Sequence, residues 1–186
     1  VDHNSIQVNA IKALLDYIGE NPNTEENLKV PFRVLESYKN IFAGYHQNLQ
    51  EVIGEKFDII SNNDIILLKN LDFFSMCMHH MLPFYGSISV AYIPRDKVIG
   101  LGRIKDLIGA VTRKLQIQEK IGNEIVNVLM ASALNPKGVI AKIDALHFCS
   151  FSKVGCLKPS SVSTIACAGE TETLSLQAKL QIFSEI

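Results

Sequence analysis

Residues 73–84 read FFSMCMHHMLPF, which sets Cys77, His79 and His80 inside a run of phenylalanine, methionine, leucine and proline. Adjacent imidazoles in apolar surroundings are costly to bury unless each finds a partner. Cys77 and His80 form a Cys-x-x-His pair, a spacing that lets both side chains reach one metal ion. Alone the pair carries little, because most histidines flanked by apolar residues are ordinary core or surface groups with a hydrogen-bond partner. A second stretch, DALHFCSF, places His147 and Cys149 two residues apart at the end of an alternating apolar pattern. Side chains two apart on a strand share a face, so the spacing predicts that His147 and Cys149 point the same way.

Together the two stretches offer cysteine, histidine and cysteine as ligands, with two histidines left over. Two thiolates and an imidazole suit zinc, and three protein ligands leave a fourth position for water. Water held there has its pKa lowered to roughly 7, and the remaining histidines would serve beside it as proton donors and acceptors. A closed structural site, with Cys156 or the second histidine as fourth ligand, accounts for the same residues equally well.

The chain that must position these groups has 186 residues, enough for one well-buried core and short for two. Its 47% hydrophobic and 20% charged residues, with no low-complexity tract or repeat, exclude a disordered or solenoid reading. A net charge of −1 argues against a general nucleic-acid-binding surface, so any phosphate recognition must come from a local cluster. The apolar stretches are broken well before about 18 residues, so no membrane span is expected. The opening VDHNSIQVNAIKALL lacks a basic start and an apolar signal core. Cys77, Cys149, Cys156 and Cys167 do not resemble a disulfide scaffold, and with no signal segment they point to a cytoplasmic protein.

Ile6, Ala10, Ile11, Leu14, Leu15 and Ile18 recur at helical spacing after Asn4, and Val34, Tyr38, Ile41 and Phe42 mark a second helix. KFDIISNNDIILLKNLDFFSMC has the β-prone runs and Asn-Asn punctuation of strand–turn–strand, and Ser87 to Ile93 alternates as a strand closed by Pro94. Ile104, Leu107, Ile108, Val111 and Leu115 are again helical, with Gly122 separating them from a further helix carrying Ile125, Val126, Val128, Leu129 and Ala133. VIAKIDALHFCSF and SSVSTIACAG read as partner strands, and ETETLSLQAKLQIFSEI as a short closing helix. Strands next to strands predict an α+β fold, an antiparallel sheet covered by helices. The expected organisation is an N-terminal helical segment over residues 1–50 and a segment bearing the chemistry over 51–186, in one compact domain overall. Exposed sheet edges in so short a chain also invite self-association.

In chain order, LKVPFRVLESYKNIFAGY, CMHHMLPFYGSISVAYIPRDKVIGLGRI, LQIQEKI and DALHFC resemble four motifs of the GTP cyclohydrolase I family. These are its Thr-Pro-x-Arg helix, its Cys-Glu-His-His strand pair leading to a Gly-Leu-Ser-Lys turn, its Gln-Val-Gln-Glu-Arg segment and its Ala-x-His-x-Cys strand. The resemblance runs from about the first helix through residue 170. It implies zinc on Cys77, His80 and Cys149, with His79 and His147 as the proton-handling pair. It implies that Glu119 holds guanine, since a carboxylate accepts from the ring N1–H and the exocyclic amine together, a pattern adenine lacks. Gln118 matches a position that assists in that pocket, and Arg33, Arg103 and Lys153 fall on the family's triphosphate-binding positions. The implied reaction adds water to C8 of GTP, releases C8 as formate, and rearranges the ribose to give 7,8-dihydroneopterin triphosphate. The implied fold is the tunnelling fold, closed into an oligomeric barrel as a homodecamer with pockets at subunit junctions.

The chain departs from the family at its phosphate end and beside the metal. Met78 replaces the acid of Cys-Glu-His-His, and carboxylates that orient zinc ligands are worth about 10–100-fold in affinity or activity. The phosphate turn reads Gly100-Leu101-Gly102-Arg103-Ile104-Lys105-Asp106, losing a hydroxyl and exchanging an arginine for an acid. Lys153 stands where the family has arginine, which keeps the charge and loses the bidentate fork. The ligands, histidines and guanine carboxylate all persist, so the expectation is an active cyclohydrolase with altered phosphate binding. The alternative is a non-catalytic subunit of the same fold braced by zinc.

Overall fold

A computed structural model describes residues 5–58, 64–152 and 158–184. The chain divides into two compact units, Val1–Ala43 and Gly44–Ile186. The first is a pair of helices, α1 (Ile6–Tyr17) and α2 (Val30–Ile41). Ser5 caps α1 by accepting from the Val8 N–H, and Pro31 lies in the first turn of α2, where its missing N–H costs no helical bond. Arg33 is also in the first turns of α2. Ile6, Leu14 and Ile18, which recur at helical spacing, are exposed in the single chain.

The second unit runs α3 (Leu49–Ile53), β1 (Lys56–Asp58), β2 (Ile66–Cys77), β3 (Pro83–Ile93), β4 (Lys97–Ile99), α4 (Leu101–Thr112), β5 (Leu115–Gln116), α5 (Gln118–Ala131), β6 (Gly138–His147), β7 (Ser160–Gly169) and α6 (Leu176–Phe183). Five strands form one sheet in the order β5-β2-β3-β6-β7, antiparallel throughout except for the short parallel pairing of β5 with β2. This is the α+β arrangement that adjacent strands predict. The run from Lys56 to Cys77 does hold two strands, yet β1 pairs with β4 in a separate two-stranded sheet and not with β2. Leu115 is not the last turn of a helix: α4 stops at Thr112, and Leu115 pairs with Met76 in the sheet. Among the described residues, no helix is long and apolar enough to cross a membrane.

Strand period and register together set the face that carries chemistry. Phe84, Ile88, Val90 and Tyr92 of β3 lie opposite His147, Ile143, Ala141 and Val139 of β6, so all eight share one face. Leu71, Phe73 and Cys77 continue that face on β2, and α4 and α5 cover it with Ile104, Leu107, Ile108, Ile121, Ile125 and Leu129. Cys77 and His147 thus end their strands pointing into the helix-covered layer, at the same edge of the core. Two glycines permit the close packing. A Cβ at Gly86 of β3 would run into the Asp144 carbonyl of β6. Gly122, expected to separate two helices, lies inside α5, where a Cβ would come within 3.1 Å of the Ala166 Cβ. Gly122 therefore seats the helix against β7 and does not end it.

Candidate metal centre and active site

Beyond Cys77 the chain turns at once. The Cys77 N–H donates to the Leu82 carbonyl and the Met81 N–H to the Cys77 carbonyl, both at 2.8 Å, with Met81 in the left-handed region at φ 52°. This tight reversal folds both imidazoles back over the thiol, with Cys77 Sγ 3.8 Å from His79 Nδ1 and 3.9 Å from His80 Nδ1. β5 braces the turn from the other side: Cys77 pairs with Gln116, whose carbonyl accepts from the Met78 N–H at 3.0 Å. Two residues later the chain begins α5, so the metal turn and the start of that helix share one anchor.

His147 reaches the site by strand alternation but Cys149 does not, which corrects the reading that both share one strand face. β6 ends at His147, and Phe148–Ser152 forms a 3-10 turn that carries Cys149. Even so, the ligand atoms of Cys77, His80 and Cys149 all lie within 4.8 Å of one another. Ligand atoms on a tetrahedral zinc stand roughly 3.5–3.8 Å apart, given zinc–sulfur and zinc–nitrogen bonds of about 2.3 and 2.0 Å. The three donors thus fit a metal ion after side-chain adjustments of about an ångström, and two thiols with an imidazole are the donor chemistry zinc favours.

The His147 ring stacks on Phe84 with centroids 4.7 Å apart and planes 9° apart, and its Nε2 lies 2.9 Å from Gln118 Oε1. Burial pushes its pKa below the ordinary 6.5, and the nearby Glu119 charge, pulling upward, only partly offsets this. Glu119 is exposed in the first turn of α5, where the helix dipole favours a carboxylate. Gln118 beside it is 2% exposed and turned inward. The alternation of Ser87 to Ile93, extended back to Phe84, marks that ring as core-facing, and the β3–β6 register, which no local pattern gives, sets it opposite His147.

Of the phosphate-binding candidates, Arg103 lies among the described residues of the second unit. Arg103 is exposed on the first turn of α4, with Nη1 3.5 Å from Asp106 Oδ2, and lines a surface concavity with Glu55, Phe57, Gly100, Gly102 and Asp106. Lys105 and Arg113 line a neighbouring concavity that Arg103 and Asp106 also border. Arg33 belongs to the other compact unit, and Lys153 and Cys156 lie outside the described residues. Met78 is 49% exposed.

A family model described as GTP cyclohydrolase I matches residues 7–184. A protein of Campylobacter jejuni subsp. doylei named GTP cyclohydrolase 1 is 42% identical over 154 residues, covering 83% of this chain and 80% of the relative. One of the same name from Rickettsia felis is 42% identical over 154 residues, covering 82% and 80%. Among solved structures, the archaeosine synthase QueF-Like in the apo form aligns with a TM-score of 0.45 at 21% identity, covering 59% of this chain and 97% of that one.

Proposed function

The chain belongs to the GTP cyclohydrolase I family, and on that premise we propose that it opens the guanine of GTP at C8, releasing formate and forming 7,8-dihydroneopterin triphosphate. The observation that carries this reading is the convergence at one end of the sheet of Cys77, His80 and Cys149 with two further imidazoles and the guanine-matching carboxylate. Cys77, His80 and Cys149 are the residues that would hold zinc. Zinc bound there supplies Lewis acidity, polarising an oxygen or making hydroxide available near neutral pH.

The chain's own groups then divide the work. His147, kept neutral by burial, is suited to accept a proton. His79, on the metal turn within 3.8 Å of Cys77 Sγ, is its partner in protonating the purine nitrogens and the ribose ring oxygen as the rings open. Glu119 accepts from guanine N1–H and the exocyclic amine together, which selects guanine over adenine. Cys77 and Phe84 are themselves buried, so the Cys77 thiol and the His147 ring stacked on Phe84 are shielded from water on that side.

Arg33, Arg103 and Lys153 are assigned to the triphosphate. Asp106 already engages Arg103, so binding at this end is weaker than a turn without that acid would give. The assembly proposed is a cytoplasmic homodecamer, supported by the family and by the exposed apolar stripe of α1. The deciding experiment is incubation of the zinc-loaded protein with GTP. Formate, and a fluorescent pterin after oxidation, are expected; no product at high enzyme and substrate would overturn the catalytic reading.

A further inference from the structure

Gln118 matches a family position that assists in the guanine pocket, yet its amide is spent inside the fold. Its Nε2 lies 3.0 Å from the Ile143 carbonyl oxygen, 3.0 Å from the Val162 carbonyl oxygen and 3.1 Å from Thr164 Oγ1. Carbonyl oxygens only accept, so the nitrogen end of the amide must face them; turned over, the amide would set its own oxygen against both. The amide orientation follows from β6 and β7, and it directs Oε1 at His147 Nε2, 2.9 Å away. An amide oxygen also only accepts, so the hydrogen in that contact belongs to His147 Nε2. A neutral imidazole carries one N–H, which leaves Nδ1 with the lone pair. Phe84 fixes the plane of the ring by stacking, and Gln118 fixes its rotation within that plane.

We propose that Gln118 is a positioning residue and not a substrate contact: it holds neutral His147 as the Nε2–H tautomer, leaving Nδ1 as the one ring atom able to accept a proton. This rests on the reading of His147 as a proton-handling residue. The chain of constraint runs from two backbone carbonyls, through one buried amide, to one imidazole. It places the tautomer under the control of the β6–β7 pairing and not of the substrate.

The test is the nitrogen spectrum of the zinc-loaded protein with 15N-labelled histidine, recorded at about pH 8, where a free imidazole is neutral. The His147 signals are identified by their loss in His147→Gln. A protonated Nε2 and a bare Nδ1 are expected in the wild type; a protonated Nδ1 would overturn the proposal without any variant of Gln118 being needed. In Gln118→Leu the pattern should become a mixture of tautomers, with kcat reduced roughly tenfold or more, KM for GTP within about twofold, and zinc content unchanged. A Gln118→Leu enzyme whose KM rises while the tautomer and kcat hold would make Gln118 a substrate contact and sink the proposal. The expected spectrum in a protein that turns over no GTP would leave the positioning role standing and reject the catalytic reading.

Discussion

His147 and Cys149 are neighbours in sequence and occupy the same site by different means. His147 ends a strand in phase with the core, and Cys149 is brought round by the 3-10 turn that follows. Their roles should therefore separate on mutation. Cys149→Ser is expected to lose bound zinc and turnover together, as measured by metal analysis beside the GTP assay. His147→Ala should retain zinc and lose about 10²–10⁴-fold in kcat, the range of a general acid–base group. Loss of the metal from His147→Ala would show that this division is wrong. At the phosphate end, Asp106 is held to Arg103 at 3.5 Å with both side chains more than half exposed, a pair worth little to stability. Asp106→Arg is expected to lower KM for GTP about threefold or more, with the melting temperature nearly unchanged. An unchanged KM would mean that Asp106 lies away from the triphosphate.

At the scale of elements, the site depends on how closely strands and helices approach. Gly86 lets β3 lie against β6, and that pairing sets Phe84 opposite His147. Gly86→Ala drives a methyl into the Asp144 carbonyl, so the strands must part. The expected cost is about 1–3 kcal/mol, read as a lower urea midpoint, and turnover should fall further than stability because the Phe84–His147 stack is disturbed. A variant with wild-type midpoint and activity would show that β3 and β6 tolerate the separation. Gly122 makes the corresponding contact for α5, whose first turn carries Gln118 and Glu119. The turn between β2 and β3 adds a third constraint, closed at both ends by backbone bonds of 2.8 Å and held in register by Gln116.

For the whole molecule, zinc that binds the folded chain and not the unfolded one adds stability by mass action, about 2.7 kcal/mol at a hundredfold excess over its dissociation constant. Chelation should therefore lower the melting temperature of the wild type and leave that of Cys149→Ser unmoved; equal shifts in both would place the metal elsewhere. The sheet also ends in open edges. β5 covers β2 only at Met76 and Cys77, and β7 pairs on one side only among the described residues. Strand edges of this length are normally covered. The homodecamer proposed above would have a mass near ten times the 20.6 kDa of one chain, and sedimentation that finds only single chains would refute it.

Much of this was legible in the amino-acid order. The Cys-x-x-His pair, the His-x-Cys pair and the alternation of the strands are local patterns, and local patterns follow directly from the two- and 3.6-residue periods of the backbone. They were enough to name Cys77, His80 and Cys149 as one set and to give the α+β class. Other features depend on pairing between distant segments. That β1 joins β4, that Gly122 seats a helix instead of ending it, and that Phe84 stacks on His147 all follow from register and close approach, which no short stretch encodes. Gln118 shows the difference most sharply. Its neighbours in sequence suggest a hand in substrate binding, but the acceptors that orient its amide come from Ile143 and Val162, 25 and 44 residues away. Only the folded sheet brings those carbonyls to the amide, and with them the atom of His147 that carries its hydrogen.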